Sequence, residues 1–194
     1  MANTNTRNGF KPVMKLDGSP WNGKGRPYYK AAGTTVTNDL FIGDVVTYSG
    51  TGHTNGLAGV ARATAGTGNA ILGVVVGFDK QPDHPERDWM DGADAGVVYV
   101  CDDPNVIYEA QADEAVAVTA IGYNANLVKT AAGSRTTGCS GDELDGTVAN
   151  TAAHQFKIVG FPDRSDNEIN ATYNKVLVIP NNHVFKGGTG TVGV

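Results

Sequence analysis

The stretch Ile71-Leu72-Gly73-Val74-Val75-Val76-Gly77-Phe78 decides the fold. It is a short β-branched run interrupted by Gly73 and Gly77, which reads as a strand and falls far short of the roughly 20 apolar residues that span a bilayer. Working outward, runs of the same kind recur at Leu40 to Ile42, Val45 to Tyr48, Val60 to Ala63, Val97 to Cys101, Val106 to Ala110, Phe156 to Val159 and Val176 to Ile179. Glycine, asparagine, aspartate and proline separate them, and such close spacing favours a barrel or sandwich over β-α-β units. With 26 glycines in 194 residues and no G-X-Y period, the chain has about twice the ~7% background of the residue that makes tight turns. Helical signals are few. Asp113 to Ile121 places acidic residues where a first helical turn favours them, yet Val116, Val118 and Thr119 also suit a strand, and both readings stand.

The totals describe one sizeable domain with arms. Hydrophobic residues make up 40% of the chain, enough to bury a core. A net charge of −5 leaves no basic stripe for phosphates, and no window interleaves aromatics with Lys or Arg, so nucleic acid is not an expected partner. The N-terminal residues Met1 to Gly9 are polar and lack the apolar run of a secretion signal. The reading is a soluble protein made in a cytoplasm, with no membrane partner. Cys101 and Cys139 are expected to be reduced, and no Cys/His spacing suggests zinc.

Three regions look unlike core. Residues 1–27 carry Pro12, Pro20, Pro27 and several glycines around the isolated anchors Phe10, Leu16 and Trp21, which describes an extended N-terminal arm. Residues 79–95 are charged and proline-bearing and contain Trp89, which reads as a long surface loop. Residues 186–194 are Gly/Thr-rich and read as a flexible C-terminal tail. Between them, 28–185 forms the β-rich body.

Candidate chemistry is thin. Asp102-Asp103-Pro104-Asn105 with Glu109 offers oxygen ligands for a hard cation such as Ca²⁺, but the same residues are what a β-turn between two strands requires, and the turn is preferred. The groups Asp142, Glu143 and Asp145, and Asp163, Asp166 and Glu168 around Arg164, read as solvated loops or local ion pairs rather than a paired-carboxylate site. Ser140 in Gly138-Cys139-Ser140-Gly141 lacks the G-x-S-x-G elbow, and Cys139 with His154 has no spacing that argues for a thiol/imidazole pair. His53, His84, His154 and His183 share no ligand spacing and read as turn or surface residues. The glycine-rich stretches Gly50 to Gly59 and Gly66 to Gly73 match no phosphate-loop pattern, and Gly66-Thr67-Gly68 reads as a hairpin turn. No enzyme, metal or cofactor is expected.

The order of blocks carries more information than any one of them. Gly9-Phe10-Lys11-Pro12-Val13, Leu16-Asp17-Gly18-Ser19-Pro20-Trp21-Asn22-Gly23, Tyr28-Tyr29 and Leu40-Phe41-Ile42-Gly43-Asp44-Val45-Val46 come first. Ile71 to Phe78, Val98-Tyr99-Val100, Asp102 to Glu109, Gly122-Tyr123-Asn124-Ala125-Asn126-Leu127, Ser140 to Asp145 and Asp163 to Glu168 follow. Over nearly the whole chain this succession resembles the tailed-bacteriophage head decoration, or capsid cement, proteins. It departs from their pattern at Lys11 and Lys15 and in the proline-bearing 79–95 loop. The resemblance implies an all-β, single β-barrel or β-tulip domain with an extended N-terminal arm. It also implies a virion protein on the outer capsid surface, assembled in the host cytoplasm, a homotrimer that bridges subunits of the major capsid protein. The expected contact residues are Phe10, Trp21, Tyr28 and Tyr29, since aromatics supply large contact area, with ordinary core packing the open alternative for each of them. The alternative is a carbohydrate-binding module, secreted or on the virion, using Trp21, Trp89 and acidic loops around a bound Ca²⁺.

Overall fold

The computed structural model describes residues 3–33, 39–187 and 190–193. The chain is all-β, as expected, and its strands divide between a barrel and an open sheet. The barrel is closed by β2 (Arg26–Lys30), β5 (Ala58–Arg62), β4 (Val45–Gly52), β6 (Gly73–Phe78) and β8 (Gly96–Cys101), in that order around the ring. Its neighbours are antiparallel except at the seam, where β2 meets β5 in parallel at Tyr29↔Gly59. The open sheet runs β1 (Lys11–Lys15), β9 (Val106–Gln111), β14 (Lys175–Pro180), β13 (Phe156–Gly160) and β10 (Asn124–Ala125), antiparallel throughout. Two short pairs flank these sheets: β3 (Leu40–Phe41) with β7 (Trp89–Met90), and β11 (Leu127–Val128) with β12 (Glu143–Leu144).

The valine run of β6 explains why the two halves form one body. Successive strand side chains point to opposite faces. Val75 enters the barrel interior with Tyr28, Val46, Val60, Leu72 and Val98, whereas Val74 faces outward into a second core with Val45, Ile71, Tyr108, Phe156, Ile158 and Val178. A strand buried on both faces has no polar positions to spare, hence the unbroken apolar reading.

The long connections are held by buried amide side chains. Gln155, fully buried, donates to the Thr64 and Asn69 carbonyls and accepts from the Gly66 and Leu127 amides, so its whole hydrogen-bonding capacity is used between barrel and sheet. Asn167, Asn174 and Asn181 tie other loops to the backbone in the same way.

Several regions differ from the sequence reading. The stretch read as an arm is laid along the body: β1 pairs with β9, and Arg26 and Pro27 belong to barrel strand β2. The 79–95 loop turns inward at Trp89, which is buried in β7 against Phe41. Asp113 to Ile121 is neither helix nor strand, apart from a 3-10 turn at Val118–Ala120. Gly66 to Gly68 turns the chain within the connection from β5 to β6, which both pair with β4 and not with each other. Of the expected flexible tail, residues 190–193 are tied down: Thr191 bonds Asn181 and Asn124, and Gly193 donates to Asn150. Residues 188, 189 and 194 of that tail, and 1 and 2 of the expected arm, lie outside the described residues.

Candidate functional site

Phe10 and Tyr28, two of the four expected contact residues, are internal. Phe10 is 1% exposed and stacks on Phe156 with ring centroids 4.5 Å apart. Tyr28 lies in the barrel interior, its hydroxyl donating to Asp102 Oδ2 at 2.6 Å, and burial with that carboxylate pushes the phenol well above its ordinary range. Trp21 is partly buried against the shared core, and Tyr29 packs on the His53 ring at 4.3 Å. The four do not form one surface.

Exposed apolar side chains collect elsewhere, around the turn Asp102 to Asn105. On one side stands β1, the outermost strand of the open sheet, with Val13 and Met14 exposed by 40% and 36%, followed by Leu16 in the adjoining turn at 58%. Beyond β1 there is only its own return turn, through the Met14↔Pro20 bridge and the bond from Lys15 N–H to the Ser19 carbonyl. On the other side stand Tyr48 and Phe185, exposed and edge-to-face at 6.4 Å, with the Arg26 guanidinium 5.8 Å from the Phe185 ring. The turn joins the two: Lys15 pairs with Asp103 at 3.5 Å, the Leu16 amide bonds the Asn105 carbonyl, and Arg26 pairs with Asp102 at 3.1 Å. Lys15 and Arg26 are thus engaged by the turn, with the exposed apolar groups on either side of it.

The same geometry accounts for the acidic turn. Asp103 Oδ1 accepts from the Asn105 amide, the turn-forming bond that aspartate makes to its own backbone, while Asp102 holds Tyr28 and Arg26. Glu109 faces away, clamped by Arg164 through two bonds of 2.9 Å. No group of three or more His, Cys, Asp or Glu side chains among the described residues is placed to hold a metal ion.

The acidic group at 142–145 is not a solvated loop. Asp142 and Glu143 are fully buried and point to opposite halves of the molecule. Asp142 accepts from the Val45 amide and from Arg62 at 2.7 Å in the barrel; Glu143 accepts from Gln111 of β9 and from Arg7 at 2.6 Å. Their partners are distant in sequence, so no local pattern announces them. His183 is likewise buried: its Nδ1 accepts from the Phe185 amide, and burial pulls its pKa down to about 4. The other expected local pair is present, with Arg164 bound to Asp166 at 3.1 Å. Cys139 bonds the Thr137 carbonyl, and both cysteines are free thiols.

A cavity of about 550 Å³ lies beside Arg62, Lys129, Arg135, Asp39 and Phe41. Its cations are engaged, Arg62 with Asp142, Arg135 with Asp39 and Lys129 with the Ala63 carbonyl. Compared with protein-family models, curated proteins and solved structures, the chain matches none.

Proposed function

We propose that the protein is a phage capsid decoration protein, a cement that binds the outer surface of the assembled head and bridges major capsid protein subunits. The observation that carries this reading is the set of exposed apolar side chains around the Asp102 to Asn105 turn: Val13 and Met14 of the outermost strand β1 and Leu16 after it on one side, and the Tyr48–Phe185 pair on the other. Among the described residues, the outer side of β1 is covered only by its own short return turn, and exposed apolar side chains beside such an edge suit a protein-protein contact. The resemblance of the order of sequence blocks to decoration proteins points to the same reading. The work required is adhesion: a protein that binds assembled shell better than loose subunits shifts the balance toward the shell by its binding free energy. Several copies in register, as in a trimer, gain further through effective concentration.

On this reading the contact is made by β1 and the Asp102 to Asn105 turn rather than by Phe10 and Tyr28. Truncating the N-terminal segment would also remove the Phe10 ring from the core, so a single exposed side chain is the sharper probe. Leu16→Asp supplies it, because that side chain is 58% exposed. Fully burying a leucine contributes about 1.5–3 kcal/mol, so the charged variant is expected to bind cement-free heads at least about tenfold more weakly in co-sedimentation while melting as the parent does. Unchanged binding would refute the assignment of this edge.

The carbohydrate-binding alternative calls on Trp21, Trp89 and acidic loops around a bound Ca²⁺; Trp21 is partly buried against the shared core. Trp89 offers little ring to a sugar, being 8% exposed with Arg87 and Arg135 lying 5.0 and 4.6 Å from its ring centroid.

A further inference from the structure

We propose that Asp44, Asp142 and Arg62 form an acid-tightened latch, in which one proton taken up by the carboxylate pair strengthens the clamp between the barrel and the segment 139–145. The inference is independent of what the protein binds.

Both carboxylate side chains have no exposed surface, and both reach the same Arg62 Nη2, Asp142 at 2.7 Å and Asp44 at 3.4 Å. Asp142 also accepts from the Val45 amide at 3.0 Å. Asp44 accepts from the Phe41 amide at 2.9 Å and from the Ser140 hydroxyl at 2.5 Å. The other charged group acting on the cluster is Lys129, whose ammonium is bound to the Ala63 carbonyl rather than to either carboxylate. The N-terminal segment meets the cluster through the bond from Phe10 N–H to the Gly43 carbonyl, and its Arg7 is spent on Glu143. Two buried carboxylates sharing one guanidinium are costly to keep ionised together, because each is stripped of water and repels the other, and a proton on Asp44 relieves both costs. Burial, then the neighbouring Asp142, raises the Asp44 pKa to about 6 against the opposing pull of Arg62, Ser140 and the Phe41 amide. The Ser140 hydroxyl can reverse its bond and accept from protonated Asp44.

Asp44 leads into β4, Arg62 ends β5, and Ser140 and Asp142 lie on the segment that continues into Glu143, where Gln111 and Arg7 attach. The clamp therefore reaches both halves of the molecule. Because the folded pKa lies above the unfolded value of 3.8, the native state binds the proton more tightly. Stability from this site grows as pH falls below about 6 and is complete below 3.8. His183 acts in the opposite direction, its lowered pKa costing stability as pH falls from 6.5 toward 4, so an uncorrected melting curve mixes the two.

The test is a carboxyl carbon NMR titration of the full chain, with Asp44 assigned by through-bond correlation. A midpoint near 6 is expected, and a midpoint at or below 4 overturns the latch. Asp44→Asn mimics the protonated state. It is expected to melt at or above the parent at pH 7.5, with the parent gaining on it as pH falls toward 5. A variant that folds but melts below the parent at pH 7.5, or a difference that does not change with pH, contradicts the proposal. The titration decides alone if the variant does not fold.

Discussion

Replacing Phe10 with alanine would remove a ring that is stacked face to face on Phe156 and leave a void in the core shared by barrel and sheet. Truncations of this kind cost about 3–5 kcal/mol, so Phe10→Ala is expected to lower the urea midpoint sharply; a loss below about 1 kcal/mol would mean that the N-terminal segment does not dock as described. Nothing near Phe10 in the sequence reveals this, because its neighbours are Gly9 and Lys11 and its partner lies on β13. Gly9 is the local reason the ring can enter. Its φ is +65°, and a Cβ there would lie 2.6 Å from both the Gly43 carbonyl oxygen and the Ser140 Cβ, where three segments cross. His183 makes a second residue-level case. Its pKa of about 4 lies below the unfolded 6.5, so it contributes stability above pH 6.5 that is lost as pH falls toward 4. His183→Gln is expected to flatten the acid side of the pH–stability curve, and an unaltered acid limb would show that another group governs it.

At the scale of elements, the β-branched runs were legible because their apolar reading depends only on being buried, and each corresponds to a strand in the structure. Besides the two-residue pairs, the strands missed were those whose local chemistry suggests exposure. β1 contains Pro12 and two lysines, and β2 contains Pro27 between charged ends; Pro12 is tolerated because β1 is an outer strand. Trp89 was misplaced for a related reason: the charged residues around it include Arg87, which lies over the ring and lets a tryptophan sit under a polar loop. Within β6 the two glycines are not equivalent. A Cβ at Gly73 would stand 2.1 Å from the Cys101 carbonyl oxygen on β8, whereas one at Gly77 would meet nothing closer than Tyr99 Cδ2 at 3.9 Å. Gly73→Ala is therefore expected to disrupt the barrel and Gly77→Ala to leave the melting temperature within a few degrees. Equal melting of the two would contradict the β6–β8 register.

At the scale of the molecule, the all-β class followed from spacing and glycine content, but the division into barrel and open sheet did not. That division depends on which face of β6 each valine takes and on long-range bonds such as those of Gln155, Asp142 and Glu143, whose partners no local pattern names. The candidate surface was hidden for the same reason: aromatic residues drew attention to Phe10 and Tyr28, while the exposed apolar groups around the Asp102 to Asn105 turn are Val13 and Met14 of β1, Leu16 just after it, and Tyr48 and Phe185 on the turn's other side. The account rests on adhesion through that surface. Electron cryomicroscopy of heads with and without this protein tests it most directly. The expected map shows added density on the outer shell with β1 and the Asp102 to Asn105 turn facing the major capsid protein. Identical maps from the two samples, or density that turns this edge toward solvent, would contradict it.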